Sequence, residues 1–374
     1  MSDTPTHPKD KRSTTPASHG KDGLLRKETI QPRVQKAPFL QRLPFLVEAR
    51  TKLPLIGGLL LTCSPSIYLY SLETSPDDHH QRTDLNVLVW TYILTGTVGI
   101  AVAMLVQSLL AYLLAFICFN GHTNATTYLA EMMENEHDDI KNEAHRRRRL
   151  EMSRRPGYWV FMLLFSFVAA GLVEEVVKYI ATTTMLGLLA QRSPSSHGGR
   201  IGSARDHITV AVSAGLGFAT VENIVFFSAA ARRRKPVGGA APAAPNESQK
   251  AAMLALMTAV ERVLLGIPGH AMTAALIGVN MLVRGHQQHH LGHGHDFSGA
   301  SKMMSSAWLV VRDSVLFHGC SNFVLFAVSA AEGNVGWVHP RRARTACFVL
   351  AVLVGLQAVL ALVLRARLCR CGLC

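Results

Sequence analysis

Charge is scarce in this chain. Asp, Glu, Lys and Arg make up only 17% of its 374 residues, where a soluble domain carries about a quarter. With 49% hydrophobic residues and a positive mean hydropathy, an ordinary water-soluble domain is excluded. Acidic residues are scarcer still, 25 against 38 Lys and Arg, which leaves a formal charge of +13. That mixture describes a membrane protein with basic loops, in contact with a lipid bilayer and with no nucleic-acid partner. The seven cysteines supply no disulfide framework and no zinc-finger spacing. Residues 1–37 lack the apolar core of a signal peptide, so the first hydrophobic span is expected to act as an uncleaved targeting signal. They also lack large apolar side chains and cannot offset the entropy of ordering. The segment up to residue 52 therefore reads as a disordered basic tail on the cytosolic side. No internal repeat is visible.

Long apolar runs are what the sequence has instead. A helix needs about 20 residues to cross the hydrocarbon layer, and suitable runs fall near 53–71, 86–118, 157–190, 207–230, 251–283, 303–330 and 345–364. The fold class is all-α, a polytopic transmembrane bundle of about seven or eight helices. Three of the runs exceed one crossing, which calls for tilting, extension into water or a break into two pieces. The parts are an N-terminal helical region at 53–119, a basic cytosolic loop at 120–156, a central membrane core at 157–330, and a C-terminal helix with a Cys/Arg-rich tail at 331–374.

Basic residues in short loops stay in the cytosol, and here they choose one face. The N-terminal tail, Arg146 to Arg149 with Arg154 and Arg155, Arg232 to Lys235, and Arg341, Arg342 and Arg344 share a side in a seven-span arrangement, while Glu73, Asp77, Asp78 and Asp84 crowd the first opposite loop. The sequons at Asn124 and Asn246 fall on the cytosolic side and should stay unmodified. Arg365, Arg367 and Arg370 disturb this pattern. The ending Cys369-Arg370-Cys371-Gly372-Leu373-Cys374 loosely resembles a lipidation signal, which would need an even number of crossings. His286, His289, His290, His293 and His295 form a histidine-rich loop without fixed ligand spacing, better read as solvated than as a metal site.

Ionisable groups inside the spans carry the chemistry. Several charges at a helix centre cost roughly 2.5–3.5 kcal/mol each on insertion scales, so they need partners or a polar cavity. The run containing Glu174, Glu175 and Lys178 places one lysine within helical reach of both carboxylates. One cation does not neutralise two glutamates. The surplus carboxylate must be protonated, bonded elsewhere or held near water. In the next span Glu222 follows Ser213 and Gly217, small residues that let another helix approach. Pro268, flanked by Gly266 and Gly269, is expected to interrupt the fifth span, with His270 presented directly after the break. His318 and Asn322, four apart on one face, make an imidazole–amide pair that could serve an oxyanion. Arg312 and Asp313 diverge around their helix and are expected to bridge to other helices rather than to each other. The first, second and seventh spans show no clear chemistry and are assigned to packing and lipid contact. Each polar residue also has a plainer reading, as an interfacial salt bridge or a hydrogen-bonded packing group.

Taken in order, Glu174-Glu175-Val176-Val177-Lys178, Gly217 through Asn223, Pro268-Gly269-His270 and His318 through Asn322 resemble the motifs of the PrsW family of intramembrane proteases, over about 157–325. A more distant similarity runs to the CAAX prenyl endopeptidases. The resemblance implies a membrane-embedded peptidase acting on membrane protein substrates, with Glu174, Glu175, His270 and, by motif position, Glu222 and His318 in its site. On chemical grounds Glu174 or Glu175 would be the general base that activates water. His270, or His318 with Asn322, would stabilise the oxyanion, and Lys178 would tune the carboxylates. A second version holds Zn²⁺ through Glu175, Glu222, His270 and His318. Residue types permit either, with the metal-free version preferred. A proton- or ion-coupled transporter or channel would use the same groups, though the matched interrupted helices of such proteins are missing. A non-catalytic membrane scaffold is the third reading.

Overall fold

The computed structural model describes residues 52–64, 66–67, 83–133, 143–192, 203–232, 245–290, 299–333 and 343–373. Nine helices and no strands occur among the described residues. They are α1 (Lys52–Ser64), α2 (Leu85–Cys118), α3 (His122–Met133), α4 (Glu143–Arg154), α5 (Pro156–Gln191), α6 (Ala204–Arg232), α7 (residues 245–290), α8 (Gly299–Ala331) and α9 (Ala343–Arg370). The expected basic tail, Glu73, Asp77, Asp78, the 233–244 segment, Arg341, Arg342, His293, His295 and Cys374 lie outside the described residues, as do the side chains of His286, His289 and His290.

Six helices, α2 and α5 to α9, are long and apolar enough to cross a bilayer. The protein is an integral, multi-pass membrane protein. The run read from sequence as the first span yields α1, a shorter apolar helix. The segment read as a basic loop at 120–156 contains α3 and α4, which are anchored to the bundle. Tyr128 stacks on Phe119 with ring centroids 3.9 Å apart, and buried Arg149 donates to the Glu131 carboxylate at 3.3 Å and to its carbonyl at 3.1 Å.

Local sequence explains where the long helices begin. Asp84 caps α2 by accepting from the Asn86 N–H at 2.9 Å, and Ser203 and Asp206 exchange side-chain and backbone bonds in a reciprocal box at the start of α6. Pro156 starts α5, where a missing N–H costs nothing.

Helix α6 is the axis of the bundle. Its apolar window is 67% buried, against 17% for α2 and α9, which therefore form the outer wall. Close approach depends on small residues, as the sequence suggested. A Cβ on Gly217 would lie 2.2 Å from the Tyr92 carbonyl oxygen of α2, and one on Gly215 would lie 2.6 Å from the His270 carbonyl oxygen of α7. Ser213 adds a hydrogen bond to the Leu88 carbonyl at 2.7 Å. Leu105, Ile117, Leu264 and Leu362 project outward, which suits helices solvated by lipid rather than water.

The three overlong runs do not break. Each stays continuous and contains a π-helical stretch: Thr95–Gly99 in α2, Phe165–Leu172 in α5 and Arg262–Gly266 in α7. The interruption expected at Pro268 is accordingly absent. The turn before it is widened, with the Ile267 N–H bonded to the Arg262 carbonyl five residues back, so the helix absorbs the proline's ring and missing donor without parting. Gln357 of α9 donates to the Leu265 carbonyl in the same turn.

Candidate functional site

The π stretch of α5 ends at Leu172, and Glu174 and Glu175 follow in the next turn. Glu174 lies 18 residues from Pro156, about 27 Å of helix, near the middle of a 36-residue span. His318 is centred in its own span, Ser305–Ala331. The charges therefore sit deep in the bundle, not at a helix end.

Adjacent carboxylates leave a helix in different directions, and these two meet different partners. Glu175 is fully buried, and its Oε1 accepts from Lys178 Nζ at 2.7 Å, from His318 Nδ1 at 2.7 Å and from Thr273 Oγ1 at 3.4 Å. Glu174 Oε1 accepts from Gln107 Nε2 of α2 at 3.0 Å, while its Oε2 faces His318 Nε2 at 3.5 Å. The surplus carboxylate anticipated from the sequence is thus bonded to another group, and His318 touches both glutamates.

Lys178 also reaches His270. Its ammonium has only donors, so at 2.9 Å the imidazole Nδ1 accepts and Nε2 carries the hydrogen. That N–H donates to Glu222 Oε2 at 2.9 Å, fixing the tautomer. Glu222 is held in turn by Arg262, whose Nε donates to Asn223 Oδ1 at 2.7 Å and whose other arm bonds Glu222. The Arg262 guanidinium lies over the Phe226 ring, 4.6 Å from its centroid. A continuous chain runs Arg262–Glu222–His270–Lys178–Glu175–His318–Glu174–Gln107, drawing on helices α2, α5, α6, α7 and α8.

The chain holds three carboxylates against two fixed cations, Lys178 and Arg262. One negative charge is left over with neutral imidazoles. Glu174 Oε2 and Glu175 Oε2 are buried without a hydrogen-bond partner, and orphaned acceptors at this depth are costly. His318 donates from Nδ1 to Glu175, so a neutral ring turns the Nε2 lone pair toward Glu174 Oε2. Two acceptors then face each other at 3.5 Å. Zinc bonds of about 2.0–2.1 Å at a tetrahedral angle separate two ligand atoms by about 3.3 Å. Glu174, His270 and His318 each offer one ligand atom, all within 4.8 Å of one another. The residues present fit a metal ion, and in this grouping Glu174 takes the place of the Glu175 and Glu222 named from sequence.

An open cleft of about 90 Å³ leads to the two histidines between α7, α8 and α9. Asn322 lies on its wall beside His318. Arg312 and Asp313 lie apart from the site. Asp313 bonds Arg367 of α9, the expected bridge, but Arg312 also pairs with Asp313 at 3.3 Å, contrary to expectation.

Three polar residues at the site were passed over in the sequence. The second and seventh spans, assigned to packing and lipid, deliver Gln107 to Glu174 and Gln357 to the cleft, and Arg262 was given no role. The available signal was an isolated amide in an otherwise apolar helix. Such a group needs a partner away from lipid.

Fold and site together define a multi-pass membrane protein with a buried acid–imidazole centre. Residues 150–364, more than half of the chain, match the model of the PrsW family intramembrane metalloproteases, and the chain belongs to that family. The match runs past the motifs to take in most of α9. No curated protein and no solved structure matches the chain.

Proposed function

We propose that this protein hydrolyses peptide bonds in membrane-associated protein substrates at the centre formed by Glu174, Glu175, Glu222, His270 and His318. The observation that carries this reading is the convergence of those side chains, from four helices, on a buried centre at the end of an open cleft.

Glu175 is the general base. Lys178, His318 and Thr273 all hold its Oε1, which leaves the buried Oε2 without a hydrogen-bond partner and free to accept a proton. Lys178 keeps that carboxylate in place and balances its charge. Glu222, clamped by Arg262, sets the His270 ring. Asn322 on the cleft wall is the neutral donor for a carbonyl oxygen as it gains charge. Glu174, His270 and His318 would hold a metal ion such as Zn²⁺, with the Lys178–His270 bond giving way. A bound metal supplies Lewis acidity, acidifying water or polarising the scissile carbonyl. The metal-holding version is preferred to the metal-free one favoured from sequence, because with a neutral His318 ring the Glu174 Oε2 and His318 Nε2 lone pairs face each other, as two ligands of one ion would.

The full chain in lipid nanodiscs, incubated with a panel of tagged single-span proteins, tests the reading. Wild type should cleave members of the panel, while Glu175→Gln and His270→Ala should not. Equal cleavage by all three would remove the assigned site.

A further inference from the structure

Helix α9 forms the outer wall of the cleft. It is the most apolar span, with a mean hydropathy of 2.8 over its best window and only 17% of that window buried. Leu353, Leu356, Gln357 and Leu360 line the cleft, and their spacing places them on one helical face. Three of the four are leucines. An amide in mid-span on such a helix has no partner in lipid, so its placement against protein has a reason.

Two clamps pin α9 near its ends. Thr345 donates to Glu332, and Arg367 donates to Asp313 and Asn280. They are 22 positions apart, about 33 Å of helix. Within that stretch Gln357 reaches the Leu265 carbonyl, in the π turn that precedes Pro268. A Cβ on Gly269, one residue before His270, would lie 3.7 Å from its amide nitrogen. Gln357 thus sits over the turn that presents His270.

Size determines the form of what enters. One turn of helix with its side chains fills about 420–610 Å³, from a diameter of 10–12 Å and a pitch of 5.4 Å. The cleft, at about 90 Å³, is too small for that. A helical peptide also keeps its carbonyls bonded and shielded, so a scissile bond must be unwound before it can be attacked. Unwound backbone at membrane depth is tolerated only where protein or water satisfies its N–H and C=O groups. The cleft offers Ser321 and Asn322 on α8 and Gln357 on α9, the one polar group on a wall of α9 that is otherwise leucine, facing the polar groups of α7.

We propose that the cleft receives an unwound segment of a membrane-embedded polypeptide that enters from the lipid past α9, and that Gln357 is a substrate-binding residue which exchanges its bond to the Leu265 carbonyl for one to the substrate main chain. This deepens the protease reading and rests on it. Binding that is equally strong in ground and transition states appears in KM alone. Gln357→Leu therefore raises KM about tenfold, the value of one hydrogen bond in a dry site, and leaves kcat within about twofold. Gln357→Asn recovers part of the loss. A residue that only propped up the Leu265 turn would instead displace His270 and lower kcat.

The probe is the panel protein that wild type cuts fastest, presented in nanodiscs. A photocrosslinking residue is placed at Leu356, which lines the cleft, or at Val354, which is 50% exposed on the lipid side. Both are made in the Glu175→Gln background so that substrate accumulates. Crosslinks from 356 that exceed those from 354, and that fade with Gln357→Leu, are the expected result. Equal crosslinking from both positions, or a fall in kcat with KM unchanged, overturns the assignment of the cleft and of Gln357 while cleavage by wild type keeps the protease reading. If wild type cuts no panel member, both readings fall.

Discussion

Replacing Lys178 with methionine tests whether the centre is an electrostatic unit. Lys178 and Glu175 are both fully buried and 2.7 Å apart, and the ammonium is also bonded to His270 Nδ1. Removing one member of a buried pair costs about 3–5 kcal/mol, because the other charge is left uncompensated. Glu175 keeps His318 and Thr273, so the lower end applies, about 3 kcal/mol or roughly a hundredfold in the unfolding equilibrium. Titration of the purified chain with denaturing detergent in mixed micelles measures that loss directly. Glu175→Gln in the same background removes the stranded charge as well. The double variant should then be more stable than Lys178→Met alone by about 1–3 kcal/mol, a coupling expected only of residues in contact. It should also be inactive, since the base is gone. Additive losses, or a Lys178→Met protein within about 0.5 kcal/mol of wild type, would refute the claim that this lysine compensates the glutamate.

Arg262→Met leaves Glu222 with His270 as its remaining partner, and catalytic rate should fall by at least tenfold as the ring loses its clamp. Arg262→Lys should recover little, because one ammonium cannot serve both Glu222 and Asn223 in the fork geometry seen here. Metal analysis of the purified chain should find close to one equivalent, reduced by His318→Ala. Retention of full metal content by that variant would dismiss the Glu174–His270–His318 grouping. Gly217→Val should abolish accumulation of folded protein, because even a Cβ there would lie 2.2 Å from the Tyr92 carbonyl oxygen, whereas Gly355→Val, with open space around it, should be tolerated. The positive-inside rule places the basic face of α4 in the cytosol; with five spans following it, that orientation predicts that a C-terminal tag is protected from proteases added to the cytosolic side.

The long apolar runs, the close helix approach allowed by Ser213 and Gly217, and the glutamates and histidines that the structure brings together were legible in the sequence. Periodicity, small residues at close approaches and the cost of intramembrane charge are all local signals. Pairings were not. Nothing in the spacing of Glu174, Glu175 and Lys178 says that the lysine bonds Glu175 and reaches on to His270, while Glu174 turns to Gln107. Both glutamates are within helical reach of Lys178, and only the positions of α2, α7 and α8 decide between them. The partner of Gln357 was illegible for the same reason: the isolated amide marks a face of α9 that avoids lipid, but which carbonyl it meets depends on packing.

One feature of α5 explains how a helix can carry buried groups along its whole length. Tyr158, Met162, Ser166, Ala170, Glu174, Lys178, Thr182 and Leu186 are all buried, and they repeat every four residues. A regular α-helix turns 100° per residue, so each step of four advances the stripe by about 40°. Seven such steps would carry it roughly 280° around the helix, and the glutamates would face away from the surface that Tyr158 and Met162 pack against. The π stretch Phe165–Leu172 intervenes between those two parts. Its wider turns take up an extra residue and set the stripe back by about 100° for each one absorbed. The Arg262–Gly266 stretch stands in the same relation to His270. The π turns of α5 are therefore part of the site's construction: they bring Glu174 and Glu175 back toward the surface that Tyr158 and Met162 pack against while leaving the span unbroken.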